Sequence, residues 1–98
     1  MKYLVAFPNT SIEKKFDKIL AKLPSKKLQK DILTALENLT FEPRPFGEPK
    51  IKPPVIVHHF TAQYRVKIGS YRILYDVDDK KQVVLILDLR KRNERTYN

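Results

Sequence analysis

The sequence predicts a small α+β fold: an N-terminal strand, a two-helix hairpin, then an antiparallel meander that forms a small sheet with the helices on one face. Three observations predict it. Two consecutive segments carry apolar residues at helical spacing, first Ile12, Phe16, Ile19, Leu20 and Leu23, then Leu28, Ile32, Ala35, Leu36 and Leu39. The stretch "YRVKIGSYR", residues 64–72, is two alternating runs meeting at a Gly-Ser turn. Residues 83–89, "VVLILDL", are nearly all apolar, as in a central strand buried on both faces. A length of 98 residues suits one domain, 1–98, with a single modest core.

The elements follow in order. Lys2–Phe7 reads as a strand closed by Pro8-Asn9; its apolar stretch is too short for a signal peptide. Thr10, with Glu13 three residues on, has the pattern of a capping box and opens the first helix. Pro24-Ser25 ends that helix and starts the second. Residues 41–54, "FEPRPFGEPKIKPP", form a stiff, extended connection, because proline restricts its neighbours as well as itself. Phe41, Phe46 and Ile51 make it too apolar for a domain linker, and we expect it to pack across an edge of the sheet. Val55–Thr61 extends or precedes the next strand; Tyr64–Ile68, Tyr71–Val77 and Gln82–Leu89 complete the meander, with a turn at Asp78–Lys81.

The formal charge of +9 is the dominant compositional fact. It points to a polyanionic partner, a nucleic acid or an acidic protein, against the plain alternative of a basic surface that serves solubility. There are no cysteines, so neither a disulfide framework nor a thiolate metal site is expected, which fits a reducing cytoplasm. No apolar run reaches the length of a membrane span. Gly-rich phosphate loops, nucleophile elbows and zinc motifs are lacking. His58 and His59 are adjacent; on a strand they point to opposite faces and cannot act as a pair or chelate one metal, so they read as structural or surface residues. No metal and no cofactor is expected.

The cations carry the chemistry. Pairing through Gly69-Ser70 sets Ile68 opposite Tyr71, Lys67 opposite Arg72, Val66 opposite Ile73, Arg65 opposite Leu74 and Tyr64 opposite Tyr75. In this register Tyr64, Val66, Ile68, Tyr71, Ile73 and Tyr75 share an apolar face, while Arg65, Lys67 and Arg72 share the other. A slip of one residue would destroy that sorting. Like charges directly opposite are destabilising, so the Lys67–Arg72 opposition suggests a cup for a phosphate, on a face left open by the helices. A second cluster, Arg90, Lys91, Arg92 and Arg95, follows the buried strand and ends near Tyr97, which suits stacking on a base or bonding to a phosphate.

The order strand–helix–helix–meander, with "LPSKKLQKDILTALENL", a Pro-rich bend, "YRVKIGSYRILYDVDD" and "LILDLRKRNERTY", resembles the RelE/ParE superfamily of toxins from type II toxin–antitoxin modules over essentially the whole chain. The hairpin and the basic tail ending in tyrosine are its most specific parts. The resemblance implies a RelE-like fold and, in the RelE branch, a ribosome-dependent, metal-free endoribonuclease that cleaves mRNA in the A site and blocks translation. It further implies a cytoplasmic location, a cognate antitoxin whose complex sets the oligomeric state, and the ribosome and mRNA as partners, with no membrane role. By position, the catalytic set falls on Lys67, Arg72, Arg92 and Tyr97, with Arg90 the alternative tail arginine. Arg65, Arg90, Lys91 and Arg95 would bind RNA phosphates.

Two departures bear on the branch. Arg65 stands where the family has a lysine; a guanidinium holds a phosphate but is a poor base, which leaves Lys67 as the candidate base. The segment "IKPPVIVHHFTAQ" is longer and more hydrophobic than the pattern. No helix is expected after Tyr97. The competing readings are a ParE-like DNA gyrase inhibitor without RNase activity and a non-catalytic RNA-binding protein.

Overall fold

The computed structural model describes residues 2–45 and 50–91. The chain runs β1 (Leu4–Ala6), α1 (Thr10–Ala21), α2 (Lys26–Leu39), β2 (Val55–Val57), β3 (Phe60–Ala62), β4 (Tyr64–Ile68), β5 (Tyr71–Asp78) and β6 (Val83–Lys91). Four strands make one sheet in the order β1-β6-β5-β4, and β2-β3 form a separate two-stranded sheet. The meander β4-β5-β6 is antiparallel as expected, whereas β1 joins β6 in parallel, so the main sheet is mixed. With neighbours on both sides, β6 is a central strand, as its apolar sequence requires.

Helix α1 starts one residue earlier than the Thr10 capping pattern implies. Asn9 is the N-cap: its backbone is extended and its side chain accepts a hydrogen bond from the Ile12 amide at 2.9 Å. Glu13 then lies in the first turn, where a negative charge meets the positive end of the helix dipole. Ser25 caps α2 in the same way, accepting from the Leu28 amide at 3.0 Å. The Gln29 side chain donates to the Leu20 carbonyl at 3.0 Å, satisfying an end-of-helix acceptor and tying the hairpin together.

The helices cover one sheet face. Phe16, Leu23, Ile32 and Leu39 pack on Tyr64, Val66, Ile73, Tyr75, Val84, Ile86 and Leu89. Each fully buried Ile, Leu or Phe side chain there contributes about 1.5–3 kcal/mol by leaving water. Phe7 meets Phe16 edge to face, with ring centroids 5.3 Å apart.

The opposite face is not left open along its whole length, which corrects the sequence expectation. The β2-β3 hairpin lies on part of it, and Val57 and Ala62 pack with Leu74 and Leu87 in a second apolar cluster joined by Ile51, Val55, Phe60 and Leu85. Val55–Thr61 is therefore no extension of the meander. His58 and His59 form the turn of this hairpin rather than sitting on a strand; both are exposed, and His58 is left-handed with φ 57°. The apolar residues of 51–63 are explained by this satellite core.

The start of the connection is pinned to the sheet at Tyr64 of the edge strand β4 and at Tyr75 of β5. The Tyr75 hydroxyl donates to the Pro43 carbonyl at 2.8 Å. Arg44 donates through Nε to the Tyr64 hydroxyl at 3.2 Å, lies over the Tyr64 ring, and pairs with Asp79 at 2.8 Å; Tyr3 donates to the same carboxylate at 2.7 Å. These bonds draw β1, the connection, β4 and the β5-β6 turn together. The bonds from Arg44 and Tyr3 hold the exposed Asp79 carboxyl below its usual range. Phe41 is exposed, Ile51 joins the satellite core, and Phe46 lies outside the described residues.

Burial pushes the Tyr75 hydroxyl up to about 12. The unfolded chain ionises this group near its ordinary value of about 10. The stability carried by neutral Tyr75 should therefore be complete below that value and be lost as pH rises through the folded one. Urea midpoints measured from neutral to strongly alkaline pH should fall more steeply for wild type than for Tyr75→Phe; equal slopes would refute the assignment. At the turns, Gly69 has φ 58°, and a Cβ there would meet only Leu28 Cδ1 at an ordinary 3.6 Å. Gly69→Ala should cost about 1–2 kcal/mol from backbone strain alone, and His58→Gly should stabilise by up to about 1 kcal/mol; thermal melts with the opposite signs would refute both.

Candidate nucleic-acid interface

The β4-β5 hairpin has the expected register, with Tyr64 opposite Tyr75, Arg65 opposite Leu74, Val66 opposite Ile73, Lys67 opposite Arg72 and Ile68 opposite Tyr71. Gly69 with positive φ, followed by Ser70 without it, fits the type II′ turn that matches strand twist. The apolar members face the helices, so Arg65, Lys67 and Arg72 stand on the other side.

Arg90 joins them through an irregularity in β6. Leu74 pairs with Asp88 but Tyr75 pairs with Ile86, so Leu87 is an extra residue on β6. Upstream, Val84 and Ile86 face the helices while Leu85 and Leu87 face the β2-β3 hairpin. Downstream, Leu89 faces the helices and Arg90 pairs with Arg72 on the opposite side. Without the bulge, strict alternation from Ile86 would turn Leu89 outward and Arg90 into the helix-covered core.

Lys67, Arg72 and Arg90 therefore form one row across three adjacent strands. At about 5 Å per strand the row spans on the order of 10 Å. Arg65 stands one row further along, across Leu74 from Asp88. Arg65 and Lys67 are exposed, while Arg72 and Arg90 are half-buried. The Arg72 Nε is shielded from solvent and has no hydrogen-bond partner among the described residues. Lys91 is exposed at the end of β6, opposite Tyr71, so Arg90 and Lys91 belong to the strand and not to a tail. Arg92, Arg95 and Tyr97 lie outside the described residues.

One participant was missed in the sequence. Asp88 is only 4% exposed; its Oδ1 accepts from the Leu89 amide at 2.8 Å and its Oδ2 accepts from Arg90 Nε at 2.7 Å. The signal was an acid inside an apolar strand with an arginine two residues on, hence on the same face once the bulge has been passed. The acids at the β5-β6 turn serve structure: Asp79 holds Arg44 and Tyr3, and Asp78 accepts from the Lys81 amide at 3.0 Å. Among the described residues no three His, Cys, Asp or Glu side chains cluster as metal ligands, and no helix is long and apolar enough to cross a membrane.

A sheet face with three aligned cations can hold a phosphodiester: arginine forks bind phosphate oxygens in pairs, and lysine supplies a point charge or, when neutral, a base. Known proteins agree with this architecture. The model of the ParE toxin of type II toxin–antitoxin systems matches residues 10–96. The chain is similar to the archaeal RelE–RelB complex from Pyrococcus horikoshii OT3, at 28% identity and TM-score 0.68, with 96% of this chain and 99% of that chain covered. It is also similar to the RelBE2 toxin–antitoxin complex of Mycobacterium tuberculosis, at 25% identity and TM-score 0.64, covering 94% and 100%. The intact RelBE toxin–antitoxin complex of E. coli shares the fold at 22% identity and TM-score 0.61, covering 95% and 99%. No curated protein sequence matches significantly. With its strand order, its helix-covered sheet and a family match from α1 onward, this chain belongs to the ParE toxin family of type II toxin–antitoxin systems, within the RelE/ParE toxin superfamily.

Proposed function

We propose that this toxin is a ribosome-dependent endoribonuclease that cleaves mRNA in the A site and so stops translation. The observation that carries the reading is the row Lys67–Arg72–Arg90 on the sheet face away from the helices. A charge opposition that weakens the ladder is retained where a polyanion would use it. In the proposed reaction the 2′-hydroxyl attacks the adjacent phosphorus, the bond to the 5′-oxygen breaks, and the products are a 2′,3′-cyclic phosphate and a 5′-hydroxyl. Lys67 takes the 2′-hydroxyl proton. Arg72 and Arg65 stabilise the added negative charge on the phosphorane, where preorganised cations act most strongly. Arg90, Lys91, Arg92 and Arg95 bind flanking phosphates, and Arg92 or Arg90 favours departure of the 5′-oxygen electrostatically while water delivers its proton. Tyr97 orients the RNA by stacking. As the resemblance implies, no metal takes part.

The family match favours a second reading, inhibition of DNA gyrase as in ParE. The two make different demands on the row, because a gyrase inhibitor needs no transition-state cations. On either reading we propose a cytoplasmic toxin whose partner is an acidic or amphipathic antitoxin covering part of the basic surface, with steered, fast association.

Single-turnover cleavage on programmed ribosomes separates the readings. Arg72→Ala should lower the cleavage rate by about 100-fold or more, as loss of a transition-state charge contact does. Lys67→Ala should also slow the step strongly, and ribosome binding should change far less. Near-wild-type rates in both variants, or gyrase trapped on DNA with mRNA intact, would move the assignment to the ParE activity. Co-expression of the product of the neighbouring gene should restore growth and yield a stable complex; a neighbour that neither binds nor rescues would refute the antitoxin assignment.

A further inference from the structure

Asp88 is a nearly buried carboxylate, 4% exposed, on the same face as the cationic row. Its two oxygens have different partners. Oδ1 takes the Leu89 amide, which fixes the carboxylate to its own strand, and Oδ2 takes Arg90 Nε at 2.7 Å. The Arg90 side chain is 40% exposed, so a guanidinium held through Nε belongs to a side chain that still meets solvent. A guanidinium bound through Nε keeps its Nη hydrogens for another acceptor. Across the ladder, Arg72 has its Nε unpartnered among the described residues.

The strand pairing sets Arg72 and Arg90 directly opposite each other on one face. Exposed arginines without such an anchor sample many rotamers and lose that freedom when they bind. A buried carboxylate that holds one of them in advance removes part of this cost. It also offsets one of three like charges in the row.

We propose that Asp88 is a positioning residue: it fixes Arg90 through Nε so that the Arg90 Nη groups, beside Arg72, clasp one phosphate of the bound RNA strand. The role rests on the ribonuclease reading given above. Asp88 touches no RNA; it acts only through Arg90.

Asp88→Asn keeps the side-chain shape and an oxygen for the Leu89 amide but removes the charged acceptor for Arg90. Single-turnover cleavage on programmed ribosomes should fall about 10- to 100-fold, the range expected when a binding group is misplaced by about an ångström. The double variant Asp88→Asn/Arg90→Ala should be no slower than Arg90→Ala, because the two residues act as one unit. In the free protein, the Arg90 Nε–H resonance should be sharp and slowly exchanging in wild type. In Asp88→Asn it should broaden into solvent exchange while the backbone spectrum is retained. Where Asp88→Asn fails to fold, Arg90→Lys serves instead; it keeps the charge without the fork and should show the same rate loss. Wild type that cleaves, with folded Asp88→Asn or Arg90→Lys cleaving as fast, overturns the inference alone. Additive losses in the double variant overturn it too. Wild type that cuts no mRNA on ribosomes overturns the ribonuclease reading and the positioning role together.

Discussion

Between β5 and β6 the pairing changes step at Leu74 and Tyr75, and the faces of the central strand are set by that one extra residue, Leu87. Side chains on a strand alternate, so a single inserted residue exchanges inside for outside for everything beyond it. Up to that point the strand alternates, with Ile86 under the helices and Leu87 under the β2-β3 hairpin; the extra residue then puts Asp88, the partner of Leu74, on the same side as Leu87. It then restores the alternation in a phase that buries Leu89 and releases Arg90. In this sheet the bulge is what allows the strand to bury Leu89 under the helices and still present Arg90 on the charged surface.

The two clusters divide the labour. The larger one, between helices and sheet, supplies most of the buried apolar area and holds the β4-β5 hairpin by its apolar face, down to Leu28 of α2 beneath Gly69. The smaller one covers the opposite face around Leu74 and Leu87. It confines the exposed part of that face to the end of the sheet near the Gly69-Ser70 turn, where the cations stand. At the other end of the same strands, Arg44, Asp79, Tyr3, Tyr64 and Tyr75 form a polar clamp. That clamp ties the Pro-rich connection to the sheet, chiefly through the part-buried bonds from Tyr75 to the Pro43 carbonyl and from Arg44 to the Tyr64 hydroxyl, while the exposed Arg44–Asp79 pair adds little.

The charge distribution has a logic of its own. Lys67, Arg72 and Arg90 oppose each other across a ladder, an arrangement that favours neither strand pairing nor burial. Only Arg90 has an internal counter-charge, Asp88, among these three in the described residues. The row therefore retains an excess of positive potential on an open sheet face, which suits an anionic backbone approaching from solvent. Local rules that a sequence breaks without structural gain are where function is expected to reside.

The helices and the hairpin were legible from the sequence because their determinants are local. Apolar spacing fixed the buried faces of α1 and α2, and the two-residue Gly69-Ser70 turn allowed a single register that sorted tyrosine, valine and isoleucine from arginine and lysine. Three features were decided only by contacts between distant segments. Val55–Ala62 became a separate hairpin because its apolar residues find Leu74 and Leu87 on the far face, which no local pattern reveals. β1 entered in parallel beside β6, a pairing of residues almost eighty positions apart that leaves no local trace. The place of Arg90, and with it the partnership of Asp88, depended on the bulge. In "VVLILDLR" nearly every residue is apolar, so the sequence carries no alternation by which to count faces, and the phase of the strand was set by what packed on each side of it.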